Sequence, residues 1–121
     1  MTTDRGTDDA AARERLLAVR AEAVARLRGL RADVAGIVEA SRDSNADDEH
    51  DPDGATIAFE RAQADALARD ASAQVEEADA ALERLEDGAY GVCEECGRRI
   101  VAGRLEARPT ARTCVGCASR R

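Results

Sequence analysis

The sequence predicts a mainly α protein: an antiparallel two-helix coiled-coil hairpin followed by a small module organised by four cysteines. Three observations carry this. Ala, Glu, Leu and Arg make up 65 of the 121 residues and Lys is absent, a composition of long helices when the hydrophobic period agrees. Two apolar-periodic segments of similar length flank a short acidic turn. Two Cys-x-x-Cys pairs lie near the end of the chain, Cys93/Cys96 and Cys114/Cys117.

Composition also excludes an ordinary globular enzyme. Of 53 hydrophobic residues 27 are alanine, and Leu, Ile, Val and Phe together number 20. With a net charge of −7, such a shortage of bulky residues resembles disorder. A thin two-stranded rod resolves the conflict, because it has no thick core to fill. No nucleophile–base constellation and no phosphate loop is present, so no catalytic residue is expected.

Residues 1–8 are polar and acidic and are expected to be a disordered tail. They lack the basic start and apolar stretch of a secretory signal, and no run approaches the ~18 apolar residues of a membrane span. The expectation is a soluble, cytoplasmic protein with no membrane partner.

The first helical arm is predicted over residues 9–41. Val24, Leu27, Leu30, Val34, Ile37 and Val38 recur at spacings of three and four, which makes one apolar stripe, and Leu16 and Leu17 extend it. The second arm is predicted over 55–87, with Leu67, Ala71, Val75, Ala78, Leu82 and Leu85 on its seam. Much of that seam is alanine, so the helices can approach closely. Gly88 is a good helix stop. Similar lengths and a short connection make an antiparallel hairpin the simplest packing. At 1.5 Å rise per residue, each arm would be roughly 45–50 Å long.

The tip, residues 42–54, holds Asp43, Asp47, Asp48, Glu49, Asp51 and Asp53 and only one arginine, Arg42. Asp51 or Asp53 is placed to cap the second helix, with Pro52 in its first turn. Carboxylates there suit the positive end of the helix. His50, the only histidine, reads as an exposed loop residue. Glu49, Asp51, Asp53, Gly54 and Glu60 also approach the spacing of a calcium-binding helix–loop–helix. Glu49 at its first position and Pro52 inside it are faults in that match.

The finger is predicted over residues 88–121. Two Cys-x-x-Cys pairs separated by 17 residues read as a structural four-cysteine site for one Zn²⁺. Gly97 and Gly116 lie where a chain curling around sulfur needs room or positive φ. Two disulfides or a redox-active pair are the competing readings. A cytoplasmic setting argues against the first, and no strand-to-helix context supports the second. Four protein ligands leave no open position for water, so the ion holds structure. The finger's few apolar residues, chiefly Tyr90, Val92, Ile100, Val101, Leu105 and Val115, cannot fold it alone, and metal binding must supply most of its stability.

Charge divides with the architecture. Residues 1–88 hold 22 acids and 11 arginines, and residues 89–121 hold 3 acids and 7 arginines. The rod should be repelled by nucleic acid. The finger's excess of +4 falls to about +2 once four thiolates hold a zinc ion. No sequence-specific DNA binding is expected.

A helical hairpin with an acidic tip and a four-cysteine finger resembles the DksA/TraR family of bacterial transcription regulators. The finger carries the likeness through Gly88-Ala89-Tyr90-Gly91-Val92-Cys93-Glu94-Glu95-Cys96-Gly97, Ile100, Arg104-Leu105-Glu106-Ala107-Arg108-Pro109-Thr110 and the second cysteine pair. The resemblance implies a non-enzymatic, monomeric factor that binds core RNA polymerase, not promoter DNA. Its hairpin enters the secondary channel, and it often acts with the alarmone ppGpp. The family's Asp-x-Ala tip element is matched by Asp53-Gly54-Ala55. Asp53 supplies the carboxylate near the active centre and Ala55 a small contact. The family's other tip Asp sits three residues earlier, whereas Asp51 is two earlier. Arg104 and Arg108 match basic residues of a ppGpp pocket, with surface or inter-arm pairing as the alternative. Glu77 and Ala118 stand where that pocket has other basic residues. A negative charge at Glu77 opposes a pyrophosphate, so the sequence leans against strong ppGpp binding. Two other functions stay open: a zinc-ribbon adaptor contacting nucleic acid or another protein, and a thiol/zinc redox sensor.

Overall fold

A computed structural model describes residues 2–44 and 52–120. Helix α1 spans Thr2–Ser44 and helix α2 spans Pro52–Glu86. Two short helices follow, α3 at Ala102–Ala107 and α4 at Val115–Ser119. Among the described residues there is no strand, only one isolated antiparallel bridge between Val92 and Arg99. The fold is mainly helical, with two long helices packed together and the cysteines gathered near the C-terminus.

The ends of the arms differ from expectation. Residues 2–8, expected to be a disordered tail, form the first turns of α1. Extending an existing helix by one residue costs far less than nucleating one. At the other end, α1 continues to Ser44 and α2 begins at Pro52, so both arms reach into the segment read as tip. A proline in the first turn of α2 is pre-set for helix and lacks only an N–H that would have no partner. Residues 52–60 are helical. A calcium loop turns sharply at its sixth position, here Gly54, whereas Gly54 is helical, so this stretch is not a calcium loop of the kind the spacing suggested. Glu49 and His50 lie outside the described residues.

The chain divides into two compact units, Met1–Ala21 with Val75–Arg121, and Glu22–Gln74. In the first, α1 and α2 pack through a cluster of Ala12, Leu16, Ala81 and Leu85, flanked by Leu82 and Tyr90. Ala78 is fully buried on the same side of α2. Arg20 Nε donates to Asp79 Oδ1 at 2.6 Å across the pair. Both side chains are about half exposed, so this pair contributes little, ~0–1 kcal/mol.

In the second unit the buried residues are Ala23, Ala64 and Ala71. Arg26 donates to Gln74 across the helices. Residue numbers rise on α1 as they fall on α2, the antiparallel order. The bulky residues of the predicted stripe, Val24, Leu27, Leu30, Val34, Ile37 and Val38, are only half-buried, and Leu67 is exposed. Two helices approach most closely where side chains are smallest, so alanine occupies the contact line and larger residues flank it.

Helix α2 ends as Gly88 predicted. Gly88 takes φ +77. The Ala89 N–H bonds the Arg84 carbonyl at 2.8 Å and the Gly88 N–H bonds that of Leu85 at 3.3 Å. This is a Schellman ending, and it turns the chain from α2 into the finger.

Candidate metal centre

The first cysteine pair lies on a tight turn. The Cys93 N–H bonds the Arg98 carbonyl at 2.8 Å, and the Gly97 N–H bonds the Cys93 carbonyl at 2.9 Å. Gly97 has φ +75, a conformation that side chains oppose, and it lets the turn close behind Cys96. The Val92–Arg99 bridge and the Ile100 N–H bond to Gly91 O continue the turn as a short ribbon. Gly91 also has positive φ, and a Cβ there would lie 3.4 Å from Leu105.

The second pair is built differently. Cys114 caps α4, its sulfur accepting the Cys117 N–H at 3.4 Å. Gly116, expected to need room or positive φ, is an ordinary helical residue whose Cβ would meet only the Cys114 sulfur at 3.9 Å. A helix start brings residues three apart onto one side, so no special backbone is needed there. The Glu94 N–H bonds the Arg112 carbonyl at 2.9 Å and holds one pair against the other.

The four sulfurs lie within 4.8 Å of one another, and Cys96 Sγ is 3.8 Å from Cys114 Sγ. All four cysteines are free. A tetrahedral Zn²⁺ with Zn–S of about 2.3 Å requires sulfurs about 3.8 Å apart, so the residues fit the ion. Cys93, Cys96, Cys114 and Cys117 would hold it. Cys93, Cys117 and Ile100 form the buried centre of the finger, with Leu105 and Cys114 against it. Apart from those sulfurs, this centre holds only two aliphatic side chains.

The protonation of the cluster fits a cation as well. Backbone N–H groups of Cys96 and Cys114 point at Cys93 and hold its thiol at about pKa 6. The Cys117 backbone N–H lowers that of Cys114. Proton sharing with Cys114, then burial, pushes Cys117 up to about 12. Thiolates packed this closely repel one another, and a divalent cation relieves that repulsion.

Residues 88–121 match the prokaryotic dksA/traR C4-type zinc finger family. The finger is thus of the DksA/TraR type. It is 62% identical over 37 residues to the RNA polymerase-binding transcription factor DksA of Caulobacter vibrioides, covering 31% of this chain and 26% of that one. It is 39% identical over 72 residues to general stress protein 16O of Bacillus subtilis, covering 60% and 44%. Against the structure of transcription factor DksA2 from Pseudomonas aeruginosa the TM-score is 0.79 at 29% identity, covering 94% of this chain and 82% of that chain. The matched segments span less than half the length of these curated relatives.

The remaining sites expected of a DksA/TraR protein are placed unequally. Asp51 lies outside the described residues, and so does the side chain of Asp53, whose backbone is in the first turn of α2. Ala55, two residues further on, is exposed. Arg104 and Arg108 are brought together with Arg112, Glu77, Glu94 and Ala118 around a cavity of about 470 Å³. Arg104 Nε donates to the Thr113 carbonyl at 2.8 Å, so this side chain braces the approach to Cys114. Arg108 is exposed. Arg84 and Arg112, which the sequence reading passed over, and Glu94, which it named only within the finger motif, belong to the same neighbourhood. Arg84 Nη2 lies 3.4 Å from the Thr110 carbonyl, and burial, then Arg112, lowers the Arg84 pKa.

Proposed function

We propose that this chain is a non-enzymatic regulator that binds bacterial RNA polymerase and modulates transcription initiation. The observation that carries the proposal is the cysteine cluster in a DksA/TraR finger that follows two long packed helices, in a chain whose overall fold is similar to that of transcription factor DksA2. The relative from Caulobacter vibrioides is named as RNA polymerase-binding. None of the described helices is long and apolar enough to cross a membrane.

In this reading the acidic turn between α1 and α2 enters the secondary channel. Asp53 presents a carboxylate near the catalytic centre, Ala55 allows close approach, and Asp51 adds a second charge. The zinc ion takes no part in chemistry. It fixes the finger at the base of the helices, and the protein acts as a monomer in the cytoplasm. The cavity lined by Arg104, Arg108 and Arg112 also holds Glu77 and Glu94. Two carboxylates facing three guanidiniums weaken the site for a pyrophosphate, so the effect on polymerase should need no ppGpp.

The test is a binding and transcription assay with core RNA polymerase, comparing the protein with its Asp53→Asn variant. The protein should bind at micromolar concentration and alter initiation at a sensitive promoter. Asp53→Asn should bind with similar affinity and lose most of that effect. Failure of the unaltered protein to bind polymerase would overturn the reading.

A further inference from the structure

The stretch that leads into the second cysteine pair is held by its carbonyls. Between Pro109 and Thr113, four of them accept bonds from groups outside the stretch. Tyr90 Oη donates to Pro109 at 2.7 Å and Arg84 Nη2 to Thr110 at 3.4 Å. The Glu94 N–H donates to Arg112 at 2.9 Å and Arg104 Nε to Thr113 at 2.8 Å. The stretch has no helix or strand of its own, so these bonds set its path.

The bond from Arg104 has a direct bearing on the metal site. The Thr113 carbonyl belongs to the same planar peptide as the Cys114 nitrogen. A donor fixed on that carbonyl fixes the plane from which Cys114 departs. Cys114 is one of the four metal ligands and also the cap of α4. Its backbone is extended, at φ −71 and ψ 166, and its sulfur accepts the Cys117 N–H. Helix α4 has only five residues, too few to stand by its own hydrogen bonds. The peptide before its cap therefore sets where both sulfurs of the second pair point.

Helix α3, which carries Arg104, has six residues, none of them buried, and no side-chain cap. Its Leu105 packs against the cluster of Cys93, Ile100 and Cys117, and the neighbouring Arg104 bonds the peptide at Cys114. Arginine suits the position. Its charge persists at any working pH, and a centre of four thiolates and one Zn²⁺ is net negative.

We infer that Arg104 is a positioning residue of the zinc centre: through the Thr113 carbonyl it orients Cys114, and so it sets how tightly the metal is held. Groups that orient metal ligands in this way typically contribute about 10–100-fold in metal affinity. The role is independent of the polymerase reading. It separates Arg104 from Arg108, its exposed neighbour on the same cavity, whose side chain makes none of the four bonds.

The test uses the full-length protein with zinc or cobalt(II) as the only added ligand. Competition with a chromophoric chelator measures zinc affinity. The thiolate-to-cobalt charge-transfer and d–d bands report ligand number and geometry. Arg104→Met removes the donor and the charge, Arg104→Lys keeps both, and Arg108→Met removes a charge from the same cavity. Arg104→Met should weaken zinc binding at least tenfold and alter the cobalt spectrum, with the helix content of α1 and α2 retained. Arg104→Lys should recover zinc affinity to within threefold of the unaltered protein, and Arg108→Met should stay within twofold. If Arg104→Met loses the long helices as well, Arg104→Gln takes its place under the same limits. Unaltered zinc affinity and cobalt spectrum in the Arg104→Met protein would overturn the assignment. So would a loss of the same size in Arg108→Met or in Arg104→Lys.

Discussion

Tyr90 Oη donates a 2.7 Å hydrogen bond to the Pro109 carbonyl. The bond joins the start of the finger to the loop that leads to Cys114, across 19 residues. Tyr90 is half-buried and also packs against the α1–α2 cluster. Burial raises its pKa while Arg15 and Arg84 oppose that rise, so the phenol is neutral and able to donate at pH 7. Tyr90→Phe keeps the ring and removes the donor. It should destabilise the zinc-loaded protein by about 1 kcal/mol, read from chemical denaturation, with helix content unchanged. No loss of stability would show that water replaces the tyrosine at no cost.

Ala81 is fully buried against Ala12 and Leu16. No room exists there for a larger side chain unless the helices separate. Ala81→Leu should cost about 1–3 kcal/mol by overpacking, even though leucine is as good a coiled-coil residue by hydropathy. A stabilised variant in thermal unfolding would mean that the contact line is looser than its burial indicates.

Removing the metal should divide the molecule. The finger's buried centre is Cys93, Ile100 and Cys117, too little to hold about thirty residues without zinc. Treatment with a strong chelator should release one zinc ion per chain, read by a chromophoric indicator. It should abolish amide protection at Cys93, Gly97 and Ile100. Most of the helical circular dichroism should survive, because α1 and α2 hold the great majority of helical residues. Retained protection in the finger after confirmed metal loss would refute this.

The pKa values of the cluster set the direction of its pH dependence. Cys93, held at about 6 by backbone N–H groups, is a thiolate at pH 7. It takes up a proton as pH falls through that value. Cys117, pushed up to about 12, keeps its proton until a cation displaces it. Zinc binding at pH 7 should therefore release at least one proton, and acidification below about pH 6 should favour metal loss. Calorimetry in buffers of different ionisation enthalpy measures the release. Heat independent of the buffer would contradict it.

The finger was the most legible part of the chain. Two Cys-x-x-Cys pairs announced a four-sulfur cluster, because metal coordination fixes residue type and spacing together. Gly88 and Gly97 were readable for a similar reason: both take positive φ, which selects glycine. Gly116 carried the same letter without the same cause. The seam was harder. Hydropathy pointed to Leu17 and Leu67, which are exposed, while Ala12, Ala23, Ala64 and Ala81 are buried. The heptad spacing of Ala64, Ala71 and Ala78 was the signal available. Arg104 could not be assigned from its position, since its bond to the Thr113 carbonyl joins two parts of a loop whose path no local pattern specifies.

The sequence by itself determined two long helices, their antiparallel order, an acidic turn between them and a four-cysteine finger after them. Each follows from a periodicity or a spacing that acts over a few residues. Only the tertiary structure decided which side chains form the contact between the helices and which remain open, as at Leu67. It also decided that Glu77 and Glu94 share a cavity with Arg104 and Arg108. Those outcomes depend on how closely two backbones approach and how a 17-residue loop folds over, and distances between segments far apart in the chain are written in no single stretch of it.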